Sequence, residues 1–339
     1  MNINLALVRR KIKNAELKSL NFTIGRQSNT KVAVVYLNGI ANPNTLEKIK
    51  SRISNIDIDG ALSSESFEER IADFPFSSFP QFITTERCDK FSSNLLEGRI
   101  GIFVDGLPFG YLAPATFAQF FKTPEDNSNK FIIASAITLL RYFSLVITLL
   151  LPGFFVAVAT FHHEMIPTKL MLSIISSKQF VPFSTAAEAL GMLLAFELLQ
   201  EAGLRLPNSV GQTVSIIGAL IVGQSAVEAK VASPVIVIVI AIAGVSGYTI
   251  PDQAIAASLR AWRFILTVLA LVFGMFGLSV GLSLFIYRLC CIESFGVAYM
   301  TPFSSSNMKS IVKAVIRPPL SLSKRRDPAL KTPNERNQF

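Results

Sequence analysis

The sequence predicts an α+β membrane protein: a small cytosolic α/β head over residues 1–130, a helical transmembrane bundle over 131–288, and a basic cytosolic tail over 289–339. Three observations lead there. Half of the 339 residues are hydrophobic, only 16% are charged, and mean hydropathy is +0.46, where a soluble globular chain carries about a quarter charged residues. The charges are unevenly placed: residues 1–130 hold 16 Lys/Arg and 14 Asp/Glu, 131–287 hold 7 and 6, and 288–339 hold 9 and 3. The net charge of +9 therefore sits mostly beside an apolar block, where topology and anionic headgroups account for it. A nucleic-acid binder would carry its basic residues on a folded face, so no nucleic-acid partner is expected.

In the head, KVAVVYL (31–37) reads as a buried strand ending at Asn38-Gly39. Thr45 is placed to cap a helix running to about Asn55, with Leu46, Ile49 and Ile53 on one side. Residues 64–72 read as a second helix, 82–85 as a strand, and 89–96 as a short helix closed by Gly98. Residues 99–104 and 109–112 flank the turn Asp105-Gly106-Leu107-Pro108 as a hairpin. The order predicts a small α/β domain with a mixed sheet. Met1 to Phe22 has no continuous apolar core of the signal-peptide kind, so the head is expected in the cytosol.

Crossing a bilayer takes roughly 20 apolar residues in a helix. Four stretches qualify: 142–161, containing Pro152 and preceded by an apolar lead-in before Arg141; 209–227; 231–250; and 264–287. Between the first and second lies AAEALGMLLAFELLQEAGLRL, a fifth candidate. Glu188, Glu197, Glu201 and Arg205 make it costly to insert, and its Leu and Met residues suit a helix in the interface or packed on the bundle. Lys309, Lys313, Arg317, Lys324, Arg325 and Arg326 put the tail on the cytoplasmic side. Four spans then return both termini there and set Glu228 at a cytoplasmic mouth.

The second span holds the candidate site. Gly211, Ser215, Ala219 and Gly223 recur every four residues, with Gln212, Thr213, Gln224 and Glu228 beside them. Small faces let helices approach closely inside lipid. Two readings of Gln212, Ser215, Ala219, Gly223, Gln224 and Glu228 stand: a close-packed helix interface, or, in an oligomer, the lining of a narrow wettable pore. In the third span, AIAGVSGYTIPD sets a helix end near Gly247 against a broken helix of transporter type.

Catalytic chemistry finds no footing. There is no GxxxxGK[ST], GxGxxG, GxSxG or HExxH, and Asp105, Glu125 and Asp126 are single carboxylates near turns. His162 and His163 are adjacent, without the i, i+4 spacing of a zinc motif. Cys88, Cys290 and Cys291 give neither a disulfide framework nor metal spacing; the last two suit a helix end, or palmitoylation at a membrane edge. No enzyme activity and no cofactor or metal are expected.

Several long segments nevertheless match one known pattern in order: FPQFITTERCDKFSSNLLEGRIGIFVDGLPFGYLAPATF (79–117), FHHEMIPTKL, VPFSTAAEAL, QEAGLRLP, VGQTVSIIGALIVGQSAVEAKVASP (210–234) and FGVAYMTPF (295–303). In these segments the chain resembles the A subunits of GerA-type nutrient germinant receptors of bacterial spores. It departs at Cys88, where the family has proline, at Asp126-Asn127-Ser128, and in lacking the further subdomain that family members carry before the strand at Lys31. The resemblance implies a multi-pass subunit of the inner spore membrane. Its partners would be a transporter-like B subunit that binds the nutrient and a lipoprotein C subunit. It also implies a homo-oligomer, a pentamer, forming a nutrient-gated channel that releases cations as germination starts. The alternatives are a secondary transporter, or a non-conducting structural subunit of the receptor.

Overall fold

A computed structural model describes residues 1–60, 63–204, 208–304, 308–318 and 325–336, with the backbone alone described at 127, 204, 208–217 and 309. The chain forms two compact units. One contains Met1–Leu139 together with Arg288–Phe339, and the other Leu140–Tyr287.

The first unit is built on a five-stranded sheet. After α1 (Asn2–Lys11), β1 (Leu17–Ile24) and β2 (Thr30–Leu37) form an antiparallel hairpin. α2 (Pro43–Ser54), α3 (Ser64–Ile71), β3 (Ile83–Thr85) and α4 (Cys88–Glu97) follow, then β4 (Ile100–Val104), β5 (Gly110–Ala113) and the short α5 (Pro124–Ser128). The strand order is β1-β2-β4-β5-β3, and every neighbouring pair is antiparallel. The predicted mixed sheet is thus corrected. β1, half-exposed and carrying Lys18, Ser19 and Asn21, lacks the apolar run that marks a strand, and it supplies β2 with an antiparallel partner.

Alternation along the strands divides the core. Val32, Val34, Ile102 and Tyr111 face Ile49 and Ile53 of α2 and Phe67 and Ile71 of α3. On the other face Phe91 of α4 stacks on Phe103, ring centroids 4.3 Å apart. A Cβ at Gly101 would lie 2.1 Å from the Phe91 ring, so the strand glycine makes room for an aromatic helix face. Asn42 caps α2, accepting from the Asn44 amide at 3.0 Å, with Pro43 at the first helical position; the predicted cap, Thr45, is buried inside the helix. Gly98 closes α4 in the left-handed region, φ 105°. Asp126 accepts from the Thr123 amide at 2.8 Å in a capping box, which accounts for that carboxylate without catalysis.

The second unit is helical. α6 (Phe131–Phe161) runs unbroken through Arg141 and Pro152. α7 (Thr168–Lys178), α8 (Thr185–Leu204), α9 (Asn208–Glu228), α10 (Pro234–Gly247) and α11 (Gln253–Cys291) follow. Among the described residues two helices, α6 and α11, are long and apolar enough to cross a membrane, and α10 is a shorter apolar helix. The expected third span, 231–250, is cut to 14 residues by the turn before Pro234 and by the helix end at Gly247.

The expected fourth span, 264–287, is not one crossing. α11 breaks at Gly274, whose φ of 60° and ψ of −141° are not helical. Trp262 and Phe285 have ring centroids 5.4 Å apart, whereas 23 residues of straight helix would separate them by about 35 Å. A Cβ on Gly281 would meet the Leu266 and Leu269 side chains, so the two arms lie side by side. α11 is a helical hairpin whose arms, 253–273 and 275–291, measure about 31 Å and 25 Å.

Contacts inside this unit give the helix directions. Gly153 of α6 meets Leu266 and Ala270 on one arm of α11 and Leu278 on the other, while Phe161 meets the tip at Gly274. The first arm therefore runs parallel to α6, and the second returns. Gly247 lies against Thr148, and Phe155 packs among Ile236 and Ile240, so α10 is antiparallel to α6. The amide of Ser233 donates to Glu188 at 2.8 Å, and Phe196 meets Gly244, so α8 runs with α10. Leu199 meets Gly218, and Val237 meets Gly223, so α9 runs opposite to both.

Two short strands, β6 (Glu293–Ser294) and β7 (Val297–Ala298), α12 (Met308–Val315) and a 3-10 turn at Pro328–Leu330 follow in the first unit. The sequence reading treats 289–339 as a separate tail, yet Phe295 sits in the head core against Phe82 at 5.5 Å. Ser294 Oγ accepts from the Ala115 amide and donates to the Gln81 carbonyl, both at 3.0 Å. Arg326 donates to the Leu96 carbonyl at 2.8 Å, and Arg317 to the Asn129 carbonyl at 2.9 Å.

Candidate functional site

The predicted face of α9 is placed only in its second half. Gln212 and Ser215 fall where side chains lie outside the described residues. Ala219 is half-buried and packs with the Phe196, Ile236 and Ile240 cluster, and Gly223 is buried. A Cβ on Gly223 would lie 2.9 Å from Val237 Cγ1, so this glycine allows α9 and α10 to touch within one chain. Gln224 and Glu228 are exposed, one helical turn apart, and the Gln224 amide donates to Glu228 Oε1 at 2.9 Å.

α8, α9 and α10 enclose a groove of about 610 Å³. Ala219, Gly223, Gln224 and Glu228 line it, joined by Gln200 of α8 and otherwise by apolar side chains such as Phe196 and Val237. The structure thus brings four of the six predicted residues to one wall. Gln200 was missed because it sits in a segment whose charges drew attention to insertion cost.

Glu228 is at the other end of the unit from the one expected. The sequence reading set it on the side where the chain enters at Leu140; the helix directions put it at the end where α6 finishes. The reason is α8, which lies within the bundle and reverses α9.

Pairing explains how so polar a helix packs there. Glu197 accepts from Arg260 Nε at 2.9 Å and from Arg263 Nη2 at 3.1 Å, and Arg263 is only 3% exposed. Glu188, fully buried, lies 3.3 Å from Lys178 Nζ. The Glu197 side chain is itself 44% exposed, but removing its charge leaves the buried Arg263 guanidinium uncompensated. Glu197→Gln is therefore expected to cost roughly 2–3 kcal/mol, read as a lower thermal midpoint of the detergent-solubilised chain. An unchanged midpoint would show that the pair does not hold α8.

The motif-rich head segment does structural work. Gln81 accepts from the Phe74 amide at 3.0 Å and donates to the Phe74 carbonyl at 2.6 Å. Arg87 grips Asp89 through two hydrogen bonds, 2.8 and 3.2 Å, and also pairs with Glu125. Its hydrogen bond holds Asp89 down at about 2. That contribution is complete above the ordinary carboxylate range and fades only as pH falls toward 2, so this cluster has no titration near neutrality. Cys88 is the first residue of α4, the position where proline is best tolerated. Cysteine there leaves the helix start intact.

An antiparallel sheet domain that reclaims the chain after an apolar helical unit, in which Glu188 and Glu197 are paired with basic residues of the same unit, defines a membrane-associated α+β protein. Residues 1–329 match the family described as Bacillus/Clostridium GerA spore germination protein, and the chain belongs to that family. Among similar proteins, spore germination protein KA of Bacillus subtilis (strain 168) is 42% identical over 319 residues, covering 94% of this chain and 59% of that one. The uncharacterized membrane protein YfkQ of the same organism is also 42% identical, over 92% of this chain and 61% of its own. Spore germination protein A1 of that organism is 35% identical over 99% of this chain and 69% of its own. The chain thus spans about three fifths of the first two. The crystal structure of the N-terminal domain of the A subunit of the Bacillus megaterium spore germinant receptor GerK3 is 48% identical, covering 34% of this chain and 93% of that one, with a TM-score of 0.29.

Proposed function

We propose that this chain is the multi-pass A-type subunit of a nutrient germinant receptor in the inner spore membrane, with its head on the cytosolic side. In this reading it assembles with copies of itself, as a pentamer, and with transporter-like B and lipoprotein C subunits. It conducts cations when nutrient binds to B. The observation that carries the reading is the groove wall of Ala219, Gly223, Gln224 and Glu228, smooth along its length and polar toward one end, in a bundle where Glu197 is paired with Arg260 and Arg263 and Glu188 with Lys178. A constriction of small residues that wets and dries is a means of gating. In this reading the membrane-embedded segments are α6, α8, α9, α10 and the two arms of α11, of which α6 and α11 are long and apolar enough to cross a membrane. A second reading, a non-conducting structural subunit, is favoured by the contact of Gly223 with Val237 inside a single chain.

Nutrient-triggered potassium release separates them, measured in spores carrying the chain with its B-like and C-like partners and in spores lacking only this chain. Conduction predicts release that depends on the chain. In Gly223→Leu, where a side chain would drive into Val237, release should slow at least about tenfold, the effect of a 1.4 kcal/mol change. Release that survives both deletion and substitution would reject the channel reading. Loss on deletion with full release in Gly223→Leu would place the conduction path away from α9.

A further inference from the structure

α12 has two outward ridges of different chemistry. The helix packs on the first unit through Ala314, which is 4% exposed, and its hydrogen bonding runs one residue further, the Ile316 amide donating to the Val312 carbonyl at 2.7 Å. Met308 and Val312 stand outward at 70% and 49% exposure, four residues apart, and Ile316 continues the ridge at 50%. Positions 309 and 313 form the ridge beside it, both lysine, and Lys313 is exposed. Ser310 is half-buried at the edge of the packed side. Arg317 is the anchor. Its guanidinium donates to the Asp126 carbonyl and, at 2.9 Å, to the Asn129 carbonyl, and its amide donates to Ser135 Oγ at 3.0 Å. Ser135 lies in the second turn of α6, which opens with the exposed residues Phe131, Ile132 and Ile133 directly after the exposed Lys130.

We propose that α12 docks on an anionic phospholipid surface, with Met308, Val312 and Ile316 entering the boundary between headgroups and acyl chains and the Lys313 ridge lying at the phosphates. Two features select this occupant. An apolar ridge beside a basic one matches a surface that is apolar below and negative above, the arrangement of helices that lie in the membrane interface, and a lysine stem spans the two layers. Arg317 and Ser135 also fasten α12 to the first turns of a helix long and apolar enough to cross a membrane, so the chain itself carries the ridge to lipid. A second copy of this face fits worse, because residues 288–339 hold 9 Lys/Arg and 3 Asp/Glu and would set like charge against like. The docking rests on the membrane reading of α6 and needs neither an oligomer nor conduction.

The experiment places the full chain in lipid nanodiscs, with Cys88, Cys290 and Cys291 changed to serine and one environment-sensitive dye on Val312→Cys. Quenching by nitroxide-labelled lipid is compared in discs of phosphatidylcholine and in discs that also contain phosphatidylglycerol. Docking predicts a blue-shifted dye, strongly quenched where phosphatidylglycerol is present and released by high salt. Lys313→Glu alters an exposed side chain and should weaken docking at least about fivefold, the effect of one basic charge near an anionic surface. The same dye on Val146→Cys, half-exposed on α6, reports insertion and should be quenched in both kinds of disc. Quenching at Val146 but not at Val312 would overturn the docking alone; no quenching at either would remove the membrane reading and the docking with it. Quenching at Val312 that ignores both phosphatidylglycerol and Lys313→Glu would overturn the recognition of anionic lipid. So would a dye shielded from aqueous iodide yet out of reach of nitroxide lipid, the mark of a protein partner on the ridge.

Discussion

Gly274→Val is expected to open the α11 hairpin. At φ 60° a β-branched residue is held far from its allowed region, at a cost of about 1–3 kcal/mol. A Cβ there would also lie 3.1 Å from the Phe161 ring and Cβ, and overpacking at such a contact costs about 1–3 kcal/mol more. A helix free to straighten would relieve both. Trp262, the single tryptophan of the chain, reports the outcome. With the native cysteines replaced by serine and a nitroxide attached at Phe285→Cys, Trp262 fluorescence should be strongly quenched in the parent chain, whose rings lie 5.4 Å apart. Quenching should be lost in Gly274→Val, because a straight helix separates the two sites by about 35 Å. Equal quenching in both chains would mean that the packing of α6 against the arms, through Gly153, holds the hairpin without glycine at its tip.

Arg99→Ala is expected to be the most damaging single change in the head. The guanidinium is 1% exposed at the end of α4, where it donates to the Pro114 carbonyl and to Asn94 Oδ1, each at 3.1 Å, and pairs with Glu97. Asn94 also receives the Gln119 amide at 3.1 Å, so one arginine ties α4, β5 and the segment after it together. Removing it strands the Pro114 carbonyl, leaves Asn94 Oδ1 to Gln119 alone and opens a cavity, with an expected loss of about 3–5 kcal/mol. Domains are stable by about 5–15 kcal/mol, so this brings the head close to unfolding. Hydrogen exchange of the β4 and β5 amides in the full chain would then rise by several orders of magnitude. Arg99→Lys keeps the charge without the planar fork and should fall between. Protection in Arg99→Ala equal to the parent would show that Arg99 is dispensable to the sheet.

Much of the head was legible because its signals are local. Strand β2 is an apolar run, α2 places Leu46, Ile49 and Ile53 on one side, and Gly98 stops α4. The candidate face of α9 was legible as a four-residue repeat of small side chains, and the structure does put Ala219, Gly223, Gln224 and Glu228 on one groove. Gln200 was not, since nothing in LLQEAG distinguishes an amide facing a groove from one facing solvent.

The sequence by itself determined which stretches leave water, which residues favour helix or strand, and which family the chain resembles, because these depend on each residue's own transfer energy and on neighbours a turn away. Tertiary structure alone decided three things. Gly274, in an apolar run shared with Gly277 and Gly281, reads equally as a packing stripe and as a bend; only the contact of Trp262 with Phe285 shows the bend. α8 enters the bundle because Glu197 finds Arg260 and Arg263 more than sixty residues later, which reverses α9 and moves Glu228 to the opposite end. The chain after Arg288 returns to complete the head core with Phe295. In each case the partner is distant in sequence, and burial or pairing energy exists only once the chain has brought the two together.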